Sequence, residues 1–296
     1  MTEPASSYYG RSILKRPVWK WDIPAYFFTG GVMAGSSLLA LGADVVGNRA
    51  LRRSGRLAAA AGLGASTYFL VHDLGRPERF YNMLRIWKPT SPMNTGSWLL
   101  AVYGPAAGAA AACEATGLLP RVGRAAGVVA GATAPLVAAY TAVLTADTAV
   151  PAWHDGYRQL PFVYVGSAAA AASGMAMAVV SPDDAGAARR LAVFGAVVDV
   201  AASSHMERTI GLSGEPYSQG RAGRLNTWAR RLTVGGAVGA ALVGRRSRLA
   251  SVVSGAALVA GSALTRFAVF HAGLQSAADP AYVVTPQRPR PRHSEL

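Results

Sequence analysis

The chain has a single cysteine, Cys113, in 296 residues. That scarcity excludes an intrachain disulfide framework, a thiolate zinc site and an iron–sulfur cluster of its own. If electrons pass through this protein, another subunit holds the metal. Histidine is nearly as scarce, with five residues. His72, His205 and His271 end apolar stretches, while His154 and His293 fall outside them. No two histidines recommend themselves as facing axial ligands, so no haem is expected. Charge is sparse and one-sided: 15% of residues are charged, and 29 Lys+Arg against 15 Asp+Glu give a net +14. The basic residues sit in short clusters between apolar runs, which argues against a nucleic-acid face and for loop charges that orient helices in a bilayer.

What the chain has in abundance is apolar length. Hydrophobic residues make up 51% of it and mean hydropathy is +0.25, too apolar for an ordinary soluble domain. Eight apolar runs are visible, approximately Ile23 to Val46, Leu57 to Leu74, Gly96 to Gly117, Ala125 to Val150, Leu160 to Val180, Ala188 to Met206, Thr227 to Val243 and Leu249 to Leu274. Each is near the ~17 to 25 residues that cross the hydrocarbon layer, where only a helix satisfies its own backbone. The expected fold is all-α, a polytopic transmembrane bundle of about eight helices. Stretches such as AAAAGLG and GSAAAAASGMA weaken the hydropathy signal but let helix backbones approach closely. A soluble alanine-rich bundle would show stronger 3.6-residue striping.

The expected organisation is an interfacial N-terminal segment (1–22) with Trp19 and Trp21 at the first membrane boundary, a transmembrane domain (23–274) and a polar tail (275–296) rich in proline and arginine. The first run is long enough to remain as a helix, so no cleaved signal peptide is expected. An even helix count places both termini on one side. The short turns RALRRSGR, PRVGR, AARR and GRRSR on the other side are arginine-dense, which puts the termini outside the cytoplasm.

The most informative stretch is VHDLGRPERFYNMLRIWKPTSPMNTGSW, Val71 to Trp98, a dense polar and aromatic connector between two apolar runs. Its patterns D-L-G-R-P-x-R-F and K-P-x-S-P-M-x-x-G-S-W resemble the signature of the NrfD and polysulfide reductase membrane-subunit family. The last run and its exit, TRFAVFHAGLQSAADPAYVVTPQR, are similar to that family's C-terminal end. The resemblance implies a haem-free, multi-pass subunit of the cell (inner or plasma) membrane that reacts with menaquinone or ubiquinone. It also implies partners: a ferredoxin-like iron–sulfur subunit and a molybdopterin catalytic subunit, in the setting of anaerobic respiration.

Candidate site residues come from groups that a membrane segment normally excludes. His72 and Asp73 adjoin the signature, and a histidine held by a carboxylate exchanges protons near neutral pH. A flat quinone ring wants aromatic walls and a donor at the rim, and Tyr26 and Tyr140 each lie among small residues that leave room for it. In the resembled family quinone is bound within the first four helices, and the fourth-helix tyrosine matches Tyr140. Asp44, Asp147, Asp199, Glu207 and Arg266 are candidates for a proton path. Arg266, inside the last run, needs a carboxylate, and Asp199 and Glu207 are the expected partners. Arg76, Arg79, Arg85 and Lys88 form the candidate docking face. Two other readings stay open: an ion- or solute-translocating membrane protein, favoured by the same intramembrane charges, and a structural anchor without a quinone site.

Overall fold

The computed structural model describes residues 12–74 and 76–287, leaving out the side chains of Pro77, Arg79 and Phe80. Eight helices of 20 to 31 residues dominate: α1 (Asp22–Val45), α2 (Arg49–Asp73), α3 (Pro92–Thr116), α4 (Pro120–Ala146), α6 (Leu160–Val179), α7 (Gly186–Thr209), α8 (Gly220–Leu242) and α9 (Arg248–Ala278). A four-residue α5 (Pro151–His154), a terminal α10 (Ala281–Gln287) and two 3-10 segments, Pro77–Leu84 and Gly211–Tyr217, complete the order. The fold is all-α among the described residues. The part of the tail from residue 288 on, His293 included, lies outside them.

The eight expected runs and the eight long helices coincide in order, but every helix except α6 begins earlier. RALRRSGR, read as a turn, is the opening of α2, and PRVGR is the opening of α4. The start of α2 is fixed by Asn48, whose side chain accepts the Leu51 N–H, and proline occupies the first turn of α3 and α4. Three of these arginines are paired across helices. Arg52 reaches Glu114 at 3.0 Å and Asp44 at 3.1 Å, and Arg56 reaches Glu114 at 2.9 Å. Arg124 stands 3.5 Å from Asp44. This cluster joins α1, α2, α3 and α4 at one end of the bundle.

Four helices, α1, α4, α6 and α9, are long and apolar enough to cross a membrane on composition alone. The others carry their polarity at definite places: arginines in the first turns of α2, α7 and α8, Arg230 and Arg231 at the middle of α8, and Asn94, Ser97 and Glu114 near the ends of α3.

Packing divides the bundle into a first half (α1–α4) and a second half (α6–α9), with α6 against α1, α4, α7 and α9. Close approach requires small residues here. A Cβ on Gly174 of α6 would stand 2.5 Å from the Gly255 carbonyl oxygen of α9, so the two backbones touch directly. A tryptophan pair also links the halves. Trp19 stacks on buried Trp153 at 5.3 Å, and the Trp153 indole donates to the Val269 carbonyl at 2.7 Å.

Candidate quinone site

Between α1, α2, α3 and α4 lies a cavity of about 340 Å³. Its walls are mostly apolar, with Phe27, Leu63, Leu70, Leu100 and Leu144 among them. Polar side chains line it at few points: Tyr26, Tyr140, Ser66, Thr67, Ser97 and Asp73. Tyr26 is buried near the start of α1, and its hydroxyl donates to that of Tyr140 on α4 at 3.2 Å. Ser66 donates to Thr29 at 2.9 Å, which leaves that hydroxyl pair satisfied.

Tyr140 is placed by what α3 lacks. A Cβ on Gly96 would collide with the Tyr140 ring, under 2 Å from its nearest carbon, so the ring packs directly against bare backbone while its hydroxyl meets that of Tyr26. Gly96 is the glycine of the P-M-x-x-G-S-W pattern.

The connector over this end is built by Asn94. Its amide donates to the Met83 and Ile86 carbonyls at 2.9 and 2.8 Å, while its oxygen accepts the Lys88 N–H at 2.6 Å. The Trp98 indole adds a bond to the Ile86 carbonyl at 3.2 Å. These ties hold the segment after Pro77, so that Met83 and Leu84 join the cavity wall. A backbone with few regular hydrogen bonds needs such side-chain partners.

His72 and Asp73 separate. Asp73 lines the cavity, whereas His72 is half-exposed, stacks on Tyr68 at 5.6 Å and faces Asp22 with Nδ1 at 3.0 Å from the carboxylate. The carboxylate that orients His72 is therefore Asp22 and not its neighbour in sequence, because consecutive helical side chains point to different faces. Asp22, Asn94 and Gly96 are residues that sequence reasoning missed. Gly96 stood in the signature and Asn94 fell at one of its unspecified positions, but Asp22 lies 50 positions from its partner and left no local signal.

The candidate proton-path residues do not form one chain. Asp44 belongs to the arginine cluster at the opposite end. Asp147 is exposed at the end of α4. Glu207 pairs with Arg230 at 2.9 Å. Asp199 and Arg266 are buried in the second half. The expected ion pair of Arg266 is corrected: among the described residues no carboxylate lies within 4.0 Å of it. Its guanidinium instead covers the Tyr164 ring at 3.7 Å and donates to the Tyr164 carbonyl at 2.8 Å. A delocalised cation is weakly hydrated and stacks on an aromatic face, which an ammonium does less well. Arg76, Arg85 and Lys88 are exposed on the connector, and the Arg79 side chain is outside the described residues.

Comparison with known proteins bears on the same region. The C subunit of polysulfide reductase from Wolinella succinogenes is 32% identical over 94 residues, a match that covers 30% of this protein and 30% of that one. A family model described as polysulphide reductase, NrfD, matches residues 12–190, more than half of the sequence, and these residues include every wall of the cavity. The match takes in α1 to α4, α6 and the opening of α7, and the chain belongs to the NrfD polysulphide reductase family of helical membrane proteins.

Proposed function

We infer that this chain is the quinone-reactive membrane subunit of a multisubunit oxidoreductase in the cell membrane. It would pass electrons between menaquinone or ubiquinone in the bilayer and an iron–sulfur subunit, which in turn serves a molybdopterin catalytic subunit. The observation that carries this reading is the cavity with paired Tyr26 and Tyr140 hydroxyls among apolar walls. Its volume lies within the ~300 to 1,000 Å³ typical of small-molecule sites, and its polar groups are few and convergent. The residues therefore fit a quinone head group.

A bound quinone would supply a two-electron, two-proton redox couple. The protein's own residues would do the rest. The Tyr26–Tyr140 pair offers an O–H to a carbonyl oxygen, and Gly96 sets the angle of that donor. Asp73 accepts a proton at the cavity wall. His72, held by Asp22, sits at the exposed rim, where exchange with water is direct. Phe27 and the leucine walls keep water from the donors, which strengthens each hydrogen bond. The exposed Arg76, Arg85 and Lys88 suit an acidic face of the iron–sulfur subunit.

The test is quinol-dependent reduction of the co-purified iron–sulfur subunit in membranes, comparing the native protein with Tyr26→Phe/Tyr140→Phe. Loss of electron transfer with intact assembly supports the reading. Unchanged transfer in the double variant, or a protein that purifies with no redox partner, overturns it.

A further inference from the structure

Outside the quinone site, the flank of α8 carries positive charge that the protein does not neutralise. Arg221, Arg224 and Arg231 are exposed, and among the described residues none has a carboxylate within 4.0 Å. Beside them lies a cleft of about 650 Å³ lined by Glu207, Tyr217, Asn226, Arg230, Arg231 and Val234. A second recess of about 320 Å³, lined by Arg224 and Trp228, continues it through the shared Ser218 and Thr227. The single acid in the cleft is already used: Glu207 accepts from Arg230 at 2.9 Å and from Asn226 at 2.8 Å. Arg231 lies over the exposed Trp228 ring at 5.6 Å, an arrangement that leaves its guanidinium edge free to donate.

Placement says which anion fits. The lining of the two recesses runs along α8 from Gly220 to Gly235, about 22 Å at ~1.5 Å per residue, so the cleft follows the side of α8 and not its end. Below the arginines the same flank turns apolar, with Val234, Val238 and Leu242 exposed. Guanidinium groups above, an interfacial tryptophan beside them and aliphatic side chains below match the order of a phospholipid from headgroup to acyl tail. A partner subunit docked on the end of the bundle would not reach Arg231 or Val234.

We propose that the α7–α8 cleft is a binding site for an anionic diacyl phospholipid, whose phosphodiester is held by Arg224 and Arg231 with Arg221 adding long-range attraction, and whose acyl tails lie along Val234 to Leu242. The site is independent of the quinone reading and persists if that reading fails.

The experiment uses the purified, delipidated full-length protein in native mass spectrometry, titrated with phosphatidylglycerol and with phosphatidylcholine of the same acyl composition. The basic flank predicts a preference for phosphatidylglycerol of at least about tenfold. The triple substitution R221Q/R224Q/R231Q removes that preference while circular dichroism stays helical. A second readout uses phosphatidylglycerol brominated on its acyl tails: it quenches the fluorescence component that Trp228→Phe deletes. Equal retention of the two lipids by the native protein overturns the proposal, as does a preference that survives the triple substitution or an unquenched Trp228. Full competition by glycerol phosphate would assign the site to a soluble anion, and cross-linking of a second transmembrane protein to Trp228 would assign it to a protein. Either outcome also overturns it.

Discussion

Between α1 and α4, two tyrosine hydroxyls meet at the wall of a cavity of about 340 Å³, whereas beside α9 the ring of Tyr164 is covered by a guanidinium 3.7 Å away. Both halves of the bundle draw on the same alanine- and glycine-rich helices. Gly174 and Gly255 bring backbones together in the second half, as Gly55 does against the Ser36 carbonyl in the first, while Gly273 on α9 admits the Trp153 ring. Gly96 in the first half likewise admits the Tyr140 ring, but there a cavity opens beside the ring, whereas the Trp153 ring is buried. Small residues in membrane helices thus serve two ends, and what lies opposite them decides which.

The comparison breaks most visibly at Gly96. Gly96→Leu places a side chain where the Tyr140 ring lies, and quinol-dependent electron transfer is expected to fall by about 100-fold or more, roughly 2.7 kcal/mol in the barrier, as followed by stopped-flow reduction of the partner's cluster. Activity within threefold of native would show that Tyr140 need not hold this pose. Gly255→Val tests the other half. Overpacking between α6 and α9 is expected to cost about 1 to 3 kcal/mol, seen as a lower thermal midpoint, with turnover per folded molecule unchanged. A turnover loss as large as that of Gly96→Leu would erase the distinction between the two uses of glycine.

Tyr140→Phe keeps the ring and removes one hydroxyl. A net hydrogen bond of ~0.5 to 1.5 kcal/mol predicts a three- to tenfold rise in KM for quinol. No change in steady-state kinetics would leave Tyr26 as the sole donor. The smallest effect belongs to Asp22→Asn. His72 is 54% exposed at its side chain, so its pairing is worth about 0.2 to 1 kcal/mol, and turnover near neutral pH should change less than about fivefold. A collapse of turnover would make the Asp22–His72 pair the main proton route.

Legibility followed the physics of each signal. Eight apolar runs were readable because bilayer thickness imposes a length on each helix. Their starts were not, since Arg52 and Arg56 look like loop charges until Glu114 and Asp44 are seen beside them. Tyr26 and Tyr140 stood out as hydroxyls among small residues, and the structure brings them to 3.2 Å. Asp22 did not, because its partner lies across a whole helical hairpin, and Arg266 was assigned a carboxylate where an aromatic ring and a carbonyl serve instead. Sequence spacing reports neighbours along one helix well and neighbours across helices poorly.

The arginine cluster at the far end of the first half bears on how the protein is made. Asp44, Arg52 and Arg56 belong to the hairpin of α1 and α2, while Glu114 and Arg124 come from that of α3 and α4. Translated first, the leading hairpin carries one acid for two arginines and waits for a counter-charge that only the second delivers. Breaking a buried pair typically costs ~3 to 5 kcal/mol, so a nascent chain with Glu114→Gln should insert its first two helices yet stall in protease-sensitive form before the second hairpin docks. Pulse-chase proteolysis would register that delay during biogenesis, and a variant that became resistant at the native rate would show that the hairpins find each other without it.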